Sequence, residues 1–319
     1  MEFSQAQQTD LPEIIALLKK SLGESLLPKS EAYFIWKHVK NPFGQSKILL
    51  AKGGNQIIGV RAFMQWRWVN ATDTITAVRA VDTATDPLHQ GKGIFSQLTK
   101  KMVEECKSEG VGFVFNTPNS ISMPGYLKLG WYAIGRMPLY IGPGSMTPRL
   151  FSEKAMEKIY AGYSTKDVFH KLNKDWSVSP APIVMHTPVN YAYLNWRYNE
   201  CPVADYGAVI EPGQFGFIFR LKKVNRFIEL RICELWTENT HADKLAKKAI
   251  KKLIRATRPV LVSCAPSPLF ETSKKRILGL FGPMKKGPVV TLRPLAIDKL
   301  NIFNEFNKWN PSIGSMELF

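Results

Sequence analysis

The chain has 319 residues, of which 45% are hydrophobic, and 43 Lys and Arg against 26 Asp and Glu give a formal charge of +17 at pH 7. That length is more than one hydrophobic core usually serves, so two domains are expected, and the composition is that of an ordinary globular protein rather than a low-complexity or membrane-spanning chain. The positive excess suits polyanions such as a nucleotide cofactor, tRNA or an anionic membrane surface, but is equally compatible with a solvated basic surface.

Residues 1–8 carry neither a basic flank nor an apolar run, so neither a signal peptide nor a membrane span is expected there. Cys106, Cys201, Cys233 and Cys264 are scattered and lack metal-ligand spacing. They read as free thiols in a reducing compartment, which points to a cytoplasmic protein with no metal.

The first helix is announced by Asp10-Leu11-Pro12-Glu13, where Asp10 is placed to cap, Pro12 sits in the first turn and Glu13 completes a capping-box pattern. Leu11, Ile14, Ile15 and Leu18 give it an apolar face. An aromatic segment, Tyr33 to His38, ends at Asn41-Pro42-Phe43-Gly44. Three β-like runs follow, at 48–51, 57–63 and 75–84, the first two joined at Gly53-Gly54-Asn55.

After the third run comes Gln90-Gly91-Lys92-Gly93-Ile94-Phe95. Two glycines let successive backbone N–H groups converge on a phosphate, and the helix beginning at Ile94 adds the positive end of its dipole. That helix shows Ile94, Leu98, Met102 and Cys106 on one face. A buried strand, 111–115, then opens into Asn116 to Ser120. The loop thus lies at the C-terminal end of a strand, where α/β proteins commonly bind ligands.

Residues 81–130 resemble the GNAT N-acetyltransferases. The family's pyrophosphate signature is met by Gln90-Gly91-Lys92-Gly93-Ile94, with Phe95 where glycine or alanine is usual. A second pattern follows in Asn119, Tyr126 and Lys128-Leu129-Gly130-Trp131. The resemblance implies acetyl-CoA as acyl donor, with its pyrophosphate held by the amides of Gln90, Gly91, Lys92, Gly93, Ile94 and Phe95. It also implies that its pantetheine arm lies along Val81, Thr83 and Thr85. Lys92 either adds charge or is a solvated loop lysine.

Beyond an irregular stretch, 137–190, Tyr193-Leu194-Asn195-Trp196-Arg197-Tyr198 with Pro202 echoes Phe34 to His38 with Pro42 at the same Trp-to-Pro spacing. The echo continues through strands near 206–211, 214–221 and 227–236 and a basic helix, 241–255. Its loop, 237–243, has no glycine, and Lys275 stands where the family places tyrosine. The expected fold is therefore α/β, with two tandem GNAT-like domains, each a mixed, mostly antiparallel sheet flanked by helices. The expected divisions are an acetyl-CoA-binding domain at 1–145, a connector at 146–188 and a degenerate second copy at 189–319 that shapes the acceptor site. Lys244, Lys247, Lys248, Lys251, Lys252 and Arg255 form either a solvated helix face or an anion-binding surface.

Acyl transfer to an amine requires a fixed thioester, a deprotonated amine and a proton for the departing thiolate. By the resemblance Tyr126 is the general acid, the alternative being a packed core aromatic. Asn119 either orients the coenzyme or caps a helix. Asp82 is the one carboxylate in its strand and either takes the amine proton or pairs with Arg79 or a lysine. Trp36 and His38 lie where relatives build the acceptor wall, or belong to the core. In some relatives the terminal carboxylate is the base, which here would follow Met316-Glu317-Leu318-Phe319. The expected reaction is acetyl transfer from acetyl-CoA to a small polar amine. The alternatives are an aminoacyl-tRNA-dependent transferase or a non-catalytic acyl-CoA-binding protein.

Overall fold

The computed structural model describes residues 1–24, 28–179, 184–266, 280–296 and 311–316. β1 (Glu2–Gln5) is followed by α1 (Leu11–Leu22) and α2 (Glu31–His38), then by the long strands β2 (Lys47–Gly53), β3 (Gln56–Val69) and β4 (Thr74–Thr85). α3 (Ile94–Ser108), β5 (Phe113–Asn116), α4 (Met123–Lys128) and β6 (Tyr132–Arg136) complete the expected series. Pro12 does sit in the first turn of α1. The expected cap does not form. Asp10 turns back to accept from the Gln7 N–H, and Glu13 reaches across to accept from the Ile57 N–H, tying α1 to the hairpin instead.

The stretch expected to be a connector contains ordered elements. β7 (Leu139–Pro143) precedes it, and within it lie α5 (Glu153–Gly162) and α6 (Thr165–Phe169), with Tyr160 and Tyr163 packed on Phe219 of the second half. Then come α7 (Tyr191–Leu194), β8 (Gly207–Glu211), β9 (Phe215–Val224), β10 (Phe227–Thr237), α8 (Thr240–Thr257) and β11 (Leu261–Cys264). β12 (Phe281–Met284), β13 (Val289–Pro294) and α9 (Ile313–Met316) end the described chain, while Lys275 and Ile277 to Gly279 lie outside it.

The strands form two sheets, ordered β1-β2-β3-β4-β5-β13-β6 and β12-β7-β11-β10-β9-β8. Each has one parallel pair, β4 with β5 and β10 with β11, and is otherwise antiparallel. The boundary expected at residue 145 needs correcting for two strands. β7 pairs with β11 and β12 in the second sheet, and β13 returns to fill the place between β5 and β6 in the first. Both are short, Pro- or Gly-interrupted apolar runs whose partners lie far away in sequence, so periodicity alone does not reveal them.

The repeat seen in the sequence becomes a physical joint. Trp36 and Trp196 stack with centroids 5.0 Å apart, and each donates its indole N–H to the other's backbone carbonyl at 2.7 Å. Around them lies one aromatic core drawn from both halves, including Trp66, Trp68 and Phe115 with Tyr193, Tyr198 and Trp236. The two halves also share a position of irregularity, because β3–β4 shifts register beside Asp82 and β9–β10 beside Cys233.

Because the core is common and strands are exchanged, the chain should unfold in a single transition. Trp196→Phe should lower stability by about 1–3 kcal/mol, since it removes one indole donor and leaves a buried carbonyl unpaired. Near-UV circular dichroism and calorimetry should report the same midpoint; a two-step melt would contradict the shared core.

Candidate active site

β4 pairs with β5 only at Ala77, Val78 and Arg79, while its pairing with β3 continues to Thr85. From Val81 to Thr85 the strand therefore has no strand partner on its β5 side among the described residues. A backbone edge of this kind can pair with an extended ligand carrying amides. The two strands part immediately before the glycine loop, which creates a cleft of about 570 Å³ lined by Thr83, Thr85, the loop and Tyr126.

The loop has the geometry its sequence calls for. Gly91 and Gly93 have φ of +77° and +75°, a region costly to any side chain, and Gly93 immediately precedes α3. The preceding turn is held by Asp86, which accepts from the Leu88 N–H at 2.9 Å and pairs with Lys20 at 2.7 Å. Gln90, Gly91, Gly93, Ile94 and Phe95 line the cleft, so backbone N–H groups at the start of a fifteen-residue helix face it. Lys92 is exposed and is not among the lining residues. Ser21 and His89 also line the cleft. Sequence pattern missed them because they reach it from α1 and from the turn before the signature.

Phe95 fits because of a complementary glycine. Its ring occupies the space over Gly125, where an added Cβ would meet Phe95 at 3.2 Å, and packs edge-on to Tyr126 at 5.6 Å between centroids. The side chain therefore lies under α4 and the amide remains available to the loop.

Tyr126 is buried on α4, and its Oη accepts from Arg61 Nη1 at 2.8 Å. Its own O–H is thereby directed away from the guanidinium. Asn119 takes the capping alternative. Its Oδ1 accepts from the N–H and the hydroxyl of Ser122 at 2.8 and 2.9 Å, shaping the turn into α4, and it does not line the cleft. Its side-chain oxygen is thus engaged within the turn itself.

Asp82 sits at the bulge of β4 with φ of +37°. Its Oδ2 accepts from Lys37 Nζ at 2.6 Å and His38 Nε2 at 2.8 Å. Burial opposes its charge, but the Lys37 ammonium and the His38 hydrogen bond outweigh it and hold the carboxyl well below the usual range. The expectation of a general base is corrected accordingly: a carboxylate so strongly held in its ionised form is a poor acceptor for an amine proton. His38 is buried, and burial lowers its proton affinity despite the Asp82 carboxylate. With Ser46 on Nδ1 and Asp82 on Nε2, neither ring nitrogen is free. His38 borders a second cavity between α1, α2 and β2 rather than the cleft. Trp36 forms the joint between halves and likewise does not line the cleft.

The second half lacks the cradle. Asn239 accepts the Ala242 N–H at the start of α8, and Asp243, buried in its first turn, accepts from the Thr237 hydroxyl at 2.6 Å. A carboxylate already occupies the electropositive helix end, which disfavours a phosphate there.

The C-terminal segment enters between the sheets. Arg79 donates to the Ser315 and Met316 carbonyls at 2.8 and 2.7 Å, and Arg197 to the Gly314 carbonyl at 3.1 Å. Burial, with Arg197 nearby, pulls Arg79 down to about 10. Buried Glu234 accepts from Tyr193, Tyr198 and Ser312. The segment thus ends beside the point where β4 and β5 part, and Glu317 to Phe319 lie outside the described residues. Cys106 and Cys264 are buried, which pushes both thiols up to about 12. No metal-binding cluster and no helix long and apolar enough to cross a membrane occur among the described residues.

A depressed carboxyl stabilises the fold above its unfolded value near 4 and loses that contribution as pH falls below it. Asp82→Asn keeps the shape and the tolerance for positive φ but leaves Lys37 unpaired. It should cost about 3 kcal/mol at pH 7, and the gap to the parent should narrow as pH is taken below 4 in denaturant titrations.

Residues 2–134 match the acetyltransferase (GNAT) domain family. No curated protein matches the sequence significantly. A GCN5-related N-acetyltransferase from Anabaena variabilis ATCC 29413 superposes with a TM-score of 0.62 at 11% identity, over 95% of this chain and 75% of that one. A probable N-acyltransferase from Enterococcus faecalis V583 gives 0.63 at 12% identity, over 94% and 74%. Eis1 from Mycobacterium abscessus gives 0.55 at 12%, over 96% and 76%. These likenesses extend the fold over both sheets, while the family match and the glycine cradle coincide in the first. The N-terminal 133 residues thus match the acetyltransferase (GNAT) domain family, and the chain as a whole shares the fold of solved tandem-sheet GNAT proteins.

Proposed function

We propose that the protein is an acetyl-CoA-dependent N-acetyltransferase acting on a small polar amine, with its active site in the cleft of the first sheet. The observation carrying this reading is that one cleft brings together the left-handed glycines 91 and 93, the edge of β4 beyond its β5 pairing and the Tyr126 hydroxyl. The residues fit coenzyme A: N–H groups and a helix N-terminus suit its pyrophosphate, and a strand edge suits its amide-bearing arm.

When bound, the coenzyme supplies the activated thioester. The loop amides from Gln90 to Phe95 hold negative charge at the mouth, and the backbone of Val81 to Thr85 aligns the arm. Tyr126 Oη, already an acceptor from Arg61, presents its proton to the cleft and serves as the general acid. Asp82, ion-paired with Lys37 and bonded to His38, fixes the bulge and with it the course of the β4 edge rather than deprotonating the amine. The second half, with its own cradle filled, walls the acceptor side through the shared aromatic core.

Acetyl-CoA at a hundred times its dissociation constant should stabilise the protein by about 2.7 kcal/mol, visible as a rise in melting temperature. Gly91→Glu should abolish that rise, since it places a strained side chain and an anion in the cradle. Tyr126→Phe should keep the rise while lowering free-thiol release with an amine panel by about 100-fold. An unshifted melt with millimolar acetyl-CoA would defeat the reading, and unchanged turnover in Tyr126→Phe would remove the tyrosine from it.

A further inference from the structure

Arg61, which no sequence motif marks, is the least conventional charge in the molecule. It lies on β3 opposite Thr83 and is fully buried. Nη1 donates to Thr83 Oγ1 and to Tyr126 Oη. Nε and Nη2 are buried without a hydrogen-bond partner. The guanidinium is instead enclosed by the rings of Phe63, Phe95 and Tyr126 at 4.9, 5.3 and 5.1 Å. Among the described residues no carboxylate pairs with it.

A cation in such a place is expensive when unpaired, and a methionine would fill a similar volume without that cost. Aromatic faces offset part of the expense, as cation–π contacts do. Packing alone does not call for the charge. What the charge does touch is the phenol oxygen that faces the cleft, in surroundings where Coulomb attraction is little screened.

We propose that Arg61 is the built-in counter-ion of Tyr126, a positioning residue that acts through the phenol; this rests on the reading of Tyr126 as proton donor. In the ground state the Nη1 hydrogen bond keeps Oη an acceptor and turns its hydrogen toward the cleft. During transfer the Tyr126 O–H bond breaks, the proton passes to the leaving sulfur, and the electron pair stays on Oη. The neutral hydrogen bond thereby becomes an ion pair, and the proton given up by the acceptor amine restores the phenol by way of solvent. Phe95, unusual in its loop position, is one wall of the aromatic enclosure that keeps this pair dry.

The test is a cycle of Arg61→Met, Arg61→Lys and Tyr126→Phe on the full chain. Arg61→Met should lower kcat by about 10–100-fold with the donor KM within threefold, and Arg61→Lys should recover most of the loss. In the Tyr126→Phe background Arg61→Met should cost nothing further. Independently of turnover, calorimetry should give Arg61→Met the parent's affinity for coenzyme A, and the free variant should melt about 2–4 °C higher because an uncompensated charge is gone. An equal loss on the Tyr126→Phe background overturns the inference while leaving the proton donor in place. Full activity in Tyr126→Phe alone overturns both. A lowered melting point with lost coenzyme affinity in both Arg61 variants would make Arg61 a packing residue and overturn the inference as well.

Discussion

The two indole N–H bonds between Trp36 and Trp196 are the constraint from which the rest of the geometry follows. Each tryptophan closes the other's backbone, so the helices that carry them are fixed without a linker having to be rigid. The residues after Trp36 are Lys37 and His38, and both grip Asp82. Asp82 is the bulge of β4, and the bulge lies in the stretch of β4 that is free of β5. The joint between the halves thus sets the edge along which a ligand is laid, although neither tryptophan touches the cleft.

Buried charge is handled differently on the two sides of β4. Asp82 is given two partners and becomes a fixed anion, while Arg61 is given aromatic faces and a phenol. A group fully partnered in the resting fold has little more to gain during a reaction, whereas one left short can gain when new charge develops beside it. On that physical ground we place the acid side of the proposed chemistry at Tyr126 and leave Asp82 to hold the bulge.

The legible parts of the sequence were those whose causes are local. Gly91 and Gly93 must adopt positive φ, α3 has its apolar stripe, and Tyr126 follows at a fixed distance, so loop, helix and the cleft-lining tyrosine could all be placed from a short window. The Trp36–Trp196 echo was visible as a repeat but not as a contact, since spacing does not say which repeats touch. Asn119, Asp82 and His38 were visible as candidates, yet their roles depend on partners such as Ser122, Lys37 and Ser46, two of which lie on other elements. Arg61 was invisible because its meaning comes from three rings on separate elements. The exchanged strands were hidden for the same reason: β13 is defined by β5 and β6, not by its own apolar run.

That exchange has a bearing on how the molecule is made. The first sheet keeps a gap between β5 and β6 until Val289–Pro294 arrives, so this half cannot be completed when its own residues leave the ribosome. Domains made in tandem usually fold one after another during synthesis. Here the nascent first half must wait, with two strand edges unpaired, until Pro294 has been translated. The protein is thereby built so that the first sheet and the strands of the second are completed together.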